Sequence, residues 1–322
     1  MNGSVEAYRA PWWLPGGHLQ TLYAALLAPR PRVAYRRERW DTPDGDFVDV
    51  DWVDGPATAP LVALFHGLEG GSTSPYAHAL MAHLRALGWR GAVVHFRGCS
   101  GEPNRLARAY HSGDSAEIAW MVRRLREHAA TVYATGVSLG GNALLKWLGE
   151  RGADASKLVS AAAAVCAPLD LMAAGDALGR GFNRVYSRHF LSTLKKKSLA
   201  KLAHFPELYD ATLVRSARTL RAFDNVVTAP LHGFRDTDDY WTRASSKPWL
   251  ARIAVPTLLV NARNDPFMPE RALPGAGQVS SHVTREFPSD GGHVGFVTGP
   301  FPGRLDWLPR RIIDFLLQHT PR

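Results

Sequence analysis

The stretch from Thr131 to Leu148, TVYATGVSLGGNALLKWL, constrains this chain more than any other. It opens as a β-rich apolar run, turns through Gly136-Val137-Ser138-Leu139-Gly140, and continues with helical spacing. A G-x-S-x-G turn between a strand and a helix is tight. Side chains two positions before and two positions after the serine would collide with it, and glycine stands at both. Such a turn lifts the Ser138 hydroxyl clear of the sheet edge. It also sets the Leu139 N–H at a helix start, where unpaired donors and partial positive charge collect. Both suit a reaction that builds an oxyanion beside the serine. The competing reading is a glycine-rich turn with a bystander serine, and only the rest of the chain can decide between the two.

Around this stretch the pattern alternates between strand and helix. Residues 33–40 and 47–53 read as strands joined by the turn residues Thr42-Pro43-Asp44-Gly45. In the second, Val48, Val50 and Trp52 alternate with Asp49 and Asp51, which predicts a half-exposed antiparallel strand. Short apolar runs at 61–65, 92–96, 158–166, 256–261 and 283–287 read as further strands, with 161–171 apolar but too short to span a membrane. Helical patterns cover 75–87, 113–128, the run after Ser138 through Glu150, and 305–317. Strands alternating with helices predict an α/β fold: a mostly parallel sheet with antiparallel N-terminal strands and helices on both faces. Residues 168–248 break the rhythm with helical stretches, a basic run and an aromatic-rich end. They are expected to form a helical insertion in a core made of 1–167 and 249–322.

Composition narrows the function classes. With 322 residues and 46% of them hydrophobic, the chain suits one large domain with an insertion, or two domains, and shows no sign of disorder. The net charge is +9, mostly from scattered arginines, with one dense run at Lys195-Lys196-Lys197. No helix-turn-helix, zinc or RNA-binding signature accompanies it. A solvated basic surface is expected, with no nucleic-acid partner and at most weak attraction to an anionic membrane surface. No run of 18 apolar residues exists, and the opening lacks the basic-then-apolar pattern of a signal peptide, so a cytoplasmic protein with no transmembrane segment is expected. Cys99 and Cys166 are far apart in sequence and read as buried reduced thiols. No cluster has metal-ligand spacing, and no cofactor is expected.

In a parallel α/β sheet, groups that meet a ligand sit just past the carboxyl ends of strands. Four such loops carry chemistry here: His66-Gly67-Leu68, Ser138, Asp265 and His293. A serine hydroxyl needs a base within hydrogen-bond reach, and the base needs an acceptor that fixes its tautomer. His293 and Asp265 supply these in the chain order Ser…Asp…His that accompanies a G-x-S-x-G turn. The oxyanion donors are expected to be the backbone N–H groups of Leu139 and Leu68, with Gly67, Gly70 and Gly71 letting the loop approach the substrate. His66 reads as structural and Glu69 as a solvated loop residue. Ser72, Ser74, Ser100 and Ser112 lack the turn. Asp114 and Glu117 read as helix-start residues. Asp290 is the rival partner for His293, but Asp265 lies directly past a strand.

The segments GGHLQTL (16–22), HGLEGGSTSPY (66–76), HFRGCSGEPNRLARAYHSGD (95–114), GVSLGGN (136–142), NARNDPFMP (261–269) and GGHVGF (291–296) together resemble the α/β-hydrolase superfamily. Within it they resemble the YheT-like branch, predicted esterases related to mammalian membrane-anchored lipases. The resemblance runs over nearly the whole chain. It implies a Ser–Asp–His esterase with a helical cap and gives those roles to Ser138, Asp265 and His293. The expected activity is therefore hydrolysis of carboxylic esters, acting on a small molecule with an apolar acyl group. Acyl transfer by the same residues, and non-catalytic binding of a small molecule, stay open at this point, as do acyl length and oligomeric state.

Overall fold

The computed structural model describes residues 6–320; Met1 to Val5, part of the opening read above, lie outside them. The strands are β1 (Arg36–Asp41), β2 (Phe47–Val53), β3 (Leu61–Phe65), β4 (Arg90–Val94), β5 (Val132–Val137), β6 (Ala161–Val165), β7 (Thr257–Val260) and β8 (Val283–Glu286). They form one sheet in the order β1-β2-β4-β3-β5-β6-β7-β8. β1 pairs with β2, and β2 with β4, antiparallel; every later pairing is parallel. This is the mixed sheet that the sequence predicts.

Continuous apolar runs form its middle because both faces are covered. Along β3 the side chains alternate between two cores. Leu61, Ala63 and Phe65 pack with α3 (Ser115–Arg126) and α4 (Leu139–Arg151), while Val62 and Leu64 pack with α2 (Pro75–Ala86) and the C-terminal helix Trp307–Leu317. An N-terminal helix, α1 (Gly17–Leu26), runs beside the carboxyl ends of the strands, where Gly17 meets Asn264 and Thr21 meets the loop of His293.

Three local expectations are corrected. The first strand begins at Arg36 and not at 33, and the apolar run at 161–171 is strand only to Val165. β2 is buried along its whole length and not half-exposed. Its two aspartates are covered by arginines from β1: Arg39 grips Asp49 through both carboxylate oxygens, and Arg37 grips Asp51 in the same way. A bidentate guanidinium satisfies a carboxylate well enough to take it out of water. His95 and Ser72 complete the shell of Asp51, and its pKa is pushed far below the usual range by these hydrogen bonds in spite of burial.

Between β6 and β7 the described chain forms helices only, among them α5 (Leu171–Leu178) and α6 (Arg184–Lys201). Thr237–Ala244 is a further helix, and Asp224–Thr228 makes a π turn within a helical run. Among the described residues no helix is long and apolar enough to cross a membrane.

Candidate active site

Ser138 sits at the end of β5 with φ 52° and ψ −120°, a backbone conformation that costs energy for a residue other than glycine. The conformation is held from both sides. Ser138 N–H donates to Val165 O at 2.8 Å, and Gly140 N–H donates to His66 O at 3.1 Å. The flanking glycines are required by backbone crowding. A Cβ on Gly136 would lie 2.5 Å from Gly140 O, and one on Gly140 would lie 2.3 Å from Phe65 O. The obstacle is therefore the neighbouring main chain, not the serine side chain.

The loop after β8 brings His293 to this turn. His293 Nε2 is 2.9 Å from Ser138 Oγ, and His293 Nδ1 is 2.9 Å from Asp265 Oδ2. The Asp265 side chain is fully buried, and its second oxygen accepts from Phe267 N–H at 2.8 Å. The Phe267 ring stacks on the imidazole with centroids 4.1 Å apart. Asp290 does not face His293; its carboxylate accepts from Gln20 and Asn264.

That network is what places the histidine, and the residue-by-residue sequence reading passed over it. Thr21 Oγ1 accepts the N–H of His293 at 2.8 Å while donating to Gly17 O. Gln20 Oε1 accepts from Gly291 N–H and from the Asn264 amide, and Asn264 Oδ1 accepts from Gly292 N–H. The available signal was the GGHLQTL segment, which resemblance singled out without a mechanism. Its residues hold the loops of Asp265 and His293 together.

Leu139 N–H opens α4. In the loop after β3, Gly67 N–H donates to Tyr76 Oη, Glu69 N–H to Tyr110 Oη and Gly70 N–H to Gly67 O. This leaves Leu68 N–H without an acceptor among the described residues. A Cβ on Gly67 would come within 3.2 Å of Ser138 Cβ, so the loop is pressed against the serine. His66 is buried, its ring spanning Gly67 O and Phe96 N–H, and burial pulls its pKa down to about 3. A neutral imidazole bonded on both nitrogens braces the loop, in line with a structural role. Glu69 is not solvated, against expectation. Its side chain is 8% exposed and accepts from Tyr110 Oη at 2.8 Å and from Lys197 Nζ on α6 at 2.9 Å. One member of the lysine run therefore spans from the helical segment to the core.

Cys166, Asp265 and His293 place their ligand atoms within 4.8 Å of one another. The donor chemistry favours a hydrogen-bonded cluster over a metal site. Burial first, and then the charge of Asp265, raise the Cys166 thiol well above its ordinary pKa. A protonated thiol is a poor ligand. Its sulfur is already engaged, accepting from Val294 N–H and facing Gly292 O.

Two cavities meet at Ser138 and His293. One of about 930 Å³ lies under the helical segment; the other, of about 480 Å³, lies toward α1, α2 and the C-terminal helix. Both are mostly apolar. A half-buried serine–imidazole pair backed by a buried carboxylate, between two mostly apolar cavities and beside the Leu68 and Leu139 amides, is suited to acyl chemistry on a substrate that has two apolar limbs.

Comparison with known proteins agrees with this fold. A family model described as alpha/beta hydrolase fold matches residues 60–300. The chain is 42% identical to "Putative esterase YheT" of Escherichia coli K12 over 307 residues, 93% of this chain and 89% of that protein. It is 30% identical to "Phospholipase ABHD3" of Mus musculus over 324 residues, 97% of this chain and 78% of that one. Among solved structures, the ferulic-acid-bound Est1E of Butyrivibrio proteoclasticus superposes with a TM-score of 0.56, covering 89% of this chain and 99% of that one at 13% identity, a likeness of fold. The chain belongs to the alpha/beta hydrolase family, in the YheT-like branch related to the ABHD3 phospholipases.

Proposed function

We propose that this protein is a serine hydrolase that cleaves carboxylic esters through an acyl-enzyme intermediate. The observation that carries the reading is the pair of 2.9 Å contacts of His293, Nε2 to Ser138 Oγ and Nδ1 to Asp265 Oδ2. Asp265 fixes the tautomer with the proton on Nδ1, which leaves Nε2 free to take a proton from the serine. Ser138 Oγ attacks the ester carbonyl as His293 accepts its proton. Leu139 and Leu68 N–H groups hold the oxyanion, where a donor of this kind is worth about 3 kcal/mol of barrier. The tetrahedral intermediate collapses, and His293 gives the proton to the leaving alcohol. Water then attacks the acyl-enzyme by the same steps, releasing the acid and restoring Ser138. Asp265 orients His293 and stabilises the imidazolium.

In this reading residues 168–248 act as a cap over a core of 1–167 and 249–322, and the larger cavity beneath the cap takes the acyl chain. The names of the relatives, an esterase and a phospholipase, support ester cleavage. The test is labelling with a fluorophosphonate probe beside turnover of p-nitrophenyl esters. Wild type should label and turn over, and Ser138→Ala and His293→Ala should do neither while keeping the wild-type melting temperature. Undiminished turnover by Ser138→Ala would reject the assignment.

A further inference from the structure

The turn that presents Leu68 N–H has an unexpected residue at its third position. Gly67 O accepts Gly70 N–H at 2.9 Å, so residues 67–70 close a β-turn. Glu69 has φ 56°, while Leu68 before it is not among the residues of positive φ. That is the pattern of a type II turn, whose third position belongs to glycine because its φ is positive. A glutamate in that place is strained and stays there only if its surroundings hold it.

One peptide plane connects this strain to the serine. Leu68 N–H and Gly67 C=O belong to the same trans peptide and point in opposite directions. Gly70 N–H grips the carbonyl, and so does His66 Nδ1 at 2.7 Å, which donates here because the other ring nitrogen accepts from Phe96 N–H. If Glu69 left its positive φ, Gly70 N–H would turn away from Gly67 O. The Leu68 amide would then lose its aim.

Two side chains hold Glu69. Tyr110 Oη accepts its N–H at 2.9 Å and donates to its carboxylate at 2.8 Å, closing a ring around the residue. The Tyr110 ring lies nearly parallel to Phe96, with centroids 5.4 Å apart. Lys197 Nζ, from α6, lies 2.9 Å from each carboxylate oxygen. It also lies 3.6 Å from Cys99 Sγ, but burial pushes that thiol's pKa up to about 11, so the charge it meets is the carboxylate. One turn further along α6, Lys201 donates to Asn104 Oδ1 at 2.8 Å and to Leu106 O, which seats the helix on the core at a second point. Without Lys197, the buried Glu69 carboxylate would keep one neutral donor, Tyr110 Oη. A carboxylate left so goes out to water or takes up a proton. Going out, it pulls the backbone of the turn with it.

We propose that Lys197 and Glu69 are positioning residues for the Leu68 amide, so that the helical segment supplies, from α6, the cation that keeps the oxyanion loop in its working shape. This rests on the reading of Leu68 N–H as an oxyanion donor to an ester attacked by Ser138.

The experiment compares wild type, Lys197→Met and Lys197→Met/Glu69→Gln by two readouts. One is steady-state hydrolysis of a p-nitrophenyl ester. The other is hydrogen–deuterium exchange of the stretch 66–71, read by mass spectrometry. Lys197→Met should lower kcat about ten-fold and change KM by no more than about two-fold, because an oxyanion donor acts on the transition state more than on bound substrate. Exchange in 66–71 should quicken in the same variant. In the double variant the neutral glutamine has no charge to take to water and still accepts from Tyr110 Oη, so both readouts should return most of the way to wild type. A pair with a merely structural role would lower the melting temperature and leave kcat as it was. A kcat of Lys197→Met within about two-fold of wild type, unchanged exchange in 66–71, or no recovery in the double variant overturns the proposal. A wild type that hydrolyses no ester, with exchange quickened by Lys197→Met and slowed again by Glu69→Gln, upholds the grip of α6 on the turn and counts only against the assignment of Ser138.

Discussion

Thr21 Oγ1 accepts the backbone N–H of His293 at 2.8 Å, across 272 positions of sequence. A short N-terminal helix thereby fixes the loop of the imidazole. Thr21→Val removes the acceptor and leaves a buried N–H unpaired, which costs about 1 to 3 kcal/mol. The loop should relax, and kcat for a p-nitrophenyl ester should fall at least ten-fold or so, because an ångström of misplacement can cost about a hundred-fold. Thr21→Ser, which keeps the hydroxyl, should restore most of it. Steady-state kinetics on both variants, with melting temperatures, checks this.

The turn at Ser138 should tolerate no side chain at Gly140. Gly140→Ala would drive a Cβ into Phe65 O at 2.3 Å, and that atom belongs to the central strand. We expect a loss of at least about 3 kcal/mol, read as the urea midpoint, or failure to accumulate as folded protein.

The Lys197–Glu69 pair should contribute modestly and in a salt-dependent way. Glu69 is buried but the lysine side chain is 42% exposed. Solvent screening keeps such a contact near 1 kcal/mol. Lys197→Met should lower the melting temperature at low ionic strength, and the gap from wild type should shrink in high salt.

Asp224 gives the protein a pH signature of unusual sign. Its folded pKa is raised by burial to about 6, above the ordinary value of 3.8, so the folded state binds the extra proton in between. Stability from this group is present at low pH and declines as pH rises from about 4 through 6, by roughly 2 to 3 kcal/mol. Asp224→Asn lacks this dependence. Its stability relative to wild type should therefore improve between pH 4.5 and pH 7. Unfolding curves of both proteins at the two pH values measure the difference.

The sheet was legible because its apolar runs have no other use: β3, β5, β6 and β7 are buried from end to end and read as such. The order of Ser138, Asp265 and His293 at strand ends was legible because strand ends are where a parallel sheet exposes chemistry. Asp49, Asp51 and Glu69 were misread for one shared reason. A carboxylate reads as solvent-facing until its partner is known, and those partners are Arg39, Arg37 and Lys197 from other elements. Pairing across the fold leaves no periodicity in the sequence. The same limit hid Gln20 and Thr21, whose roles depend on loops more than 240 positions away.

Ser138 and His293 border both the larger cavity and the smaller one. An ester laid across them rests its two limbs in separate rooms. If turnover runs through the proposed acyl-enzyme, the departure of the first product empties its room while the other stays occupied, and the acylated serine still faces the vacant side. Whatever enters there next decides the outcome, and it competes without disturbing the limb left behind. The ratio of free acid to new ester, with an alcohol added to the medium, would then be governed by the lining of the 480 Å³ room, while the choice of acyl group would be governed by the other.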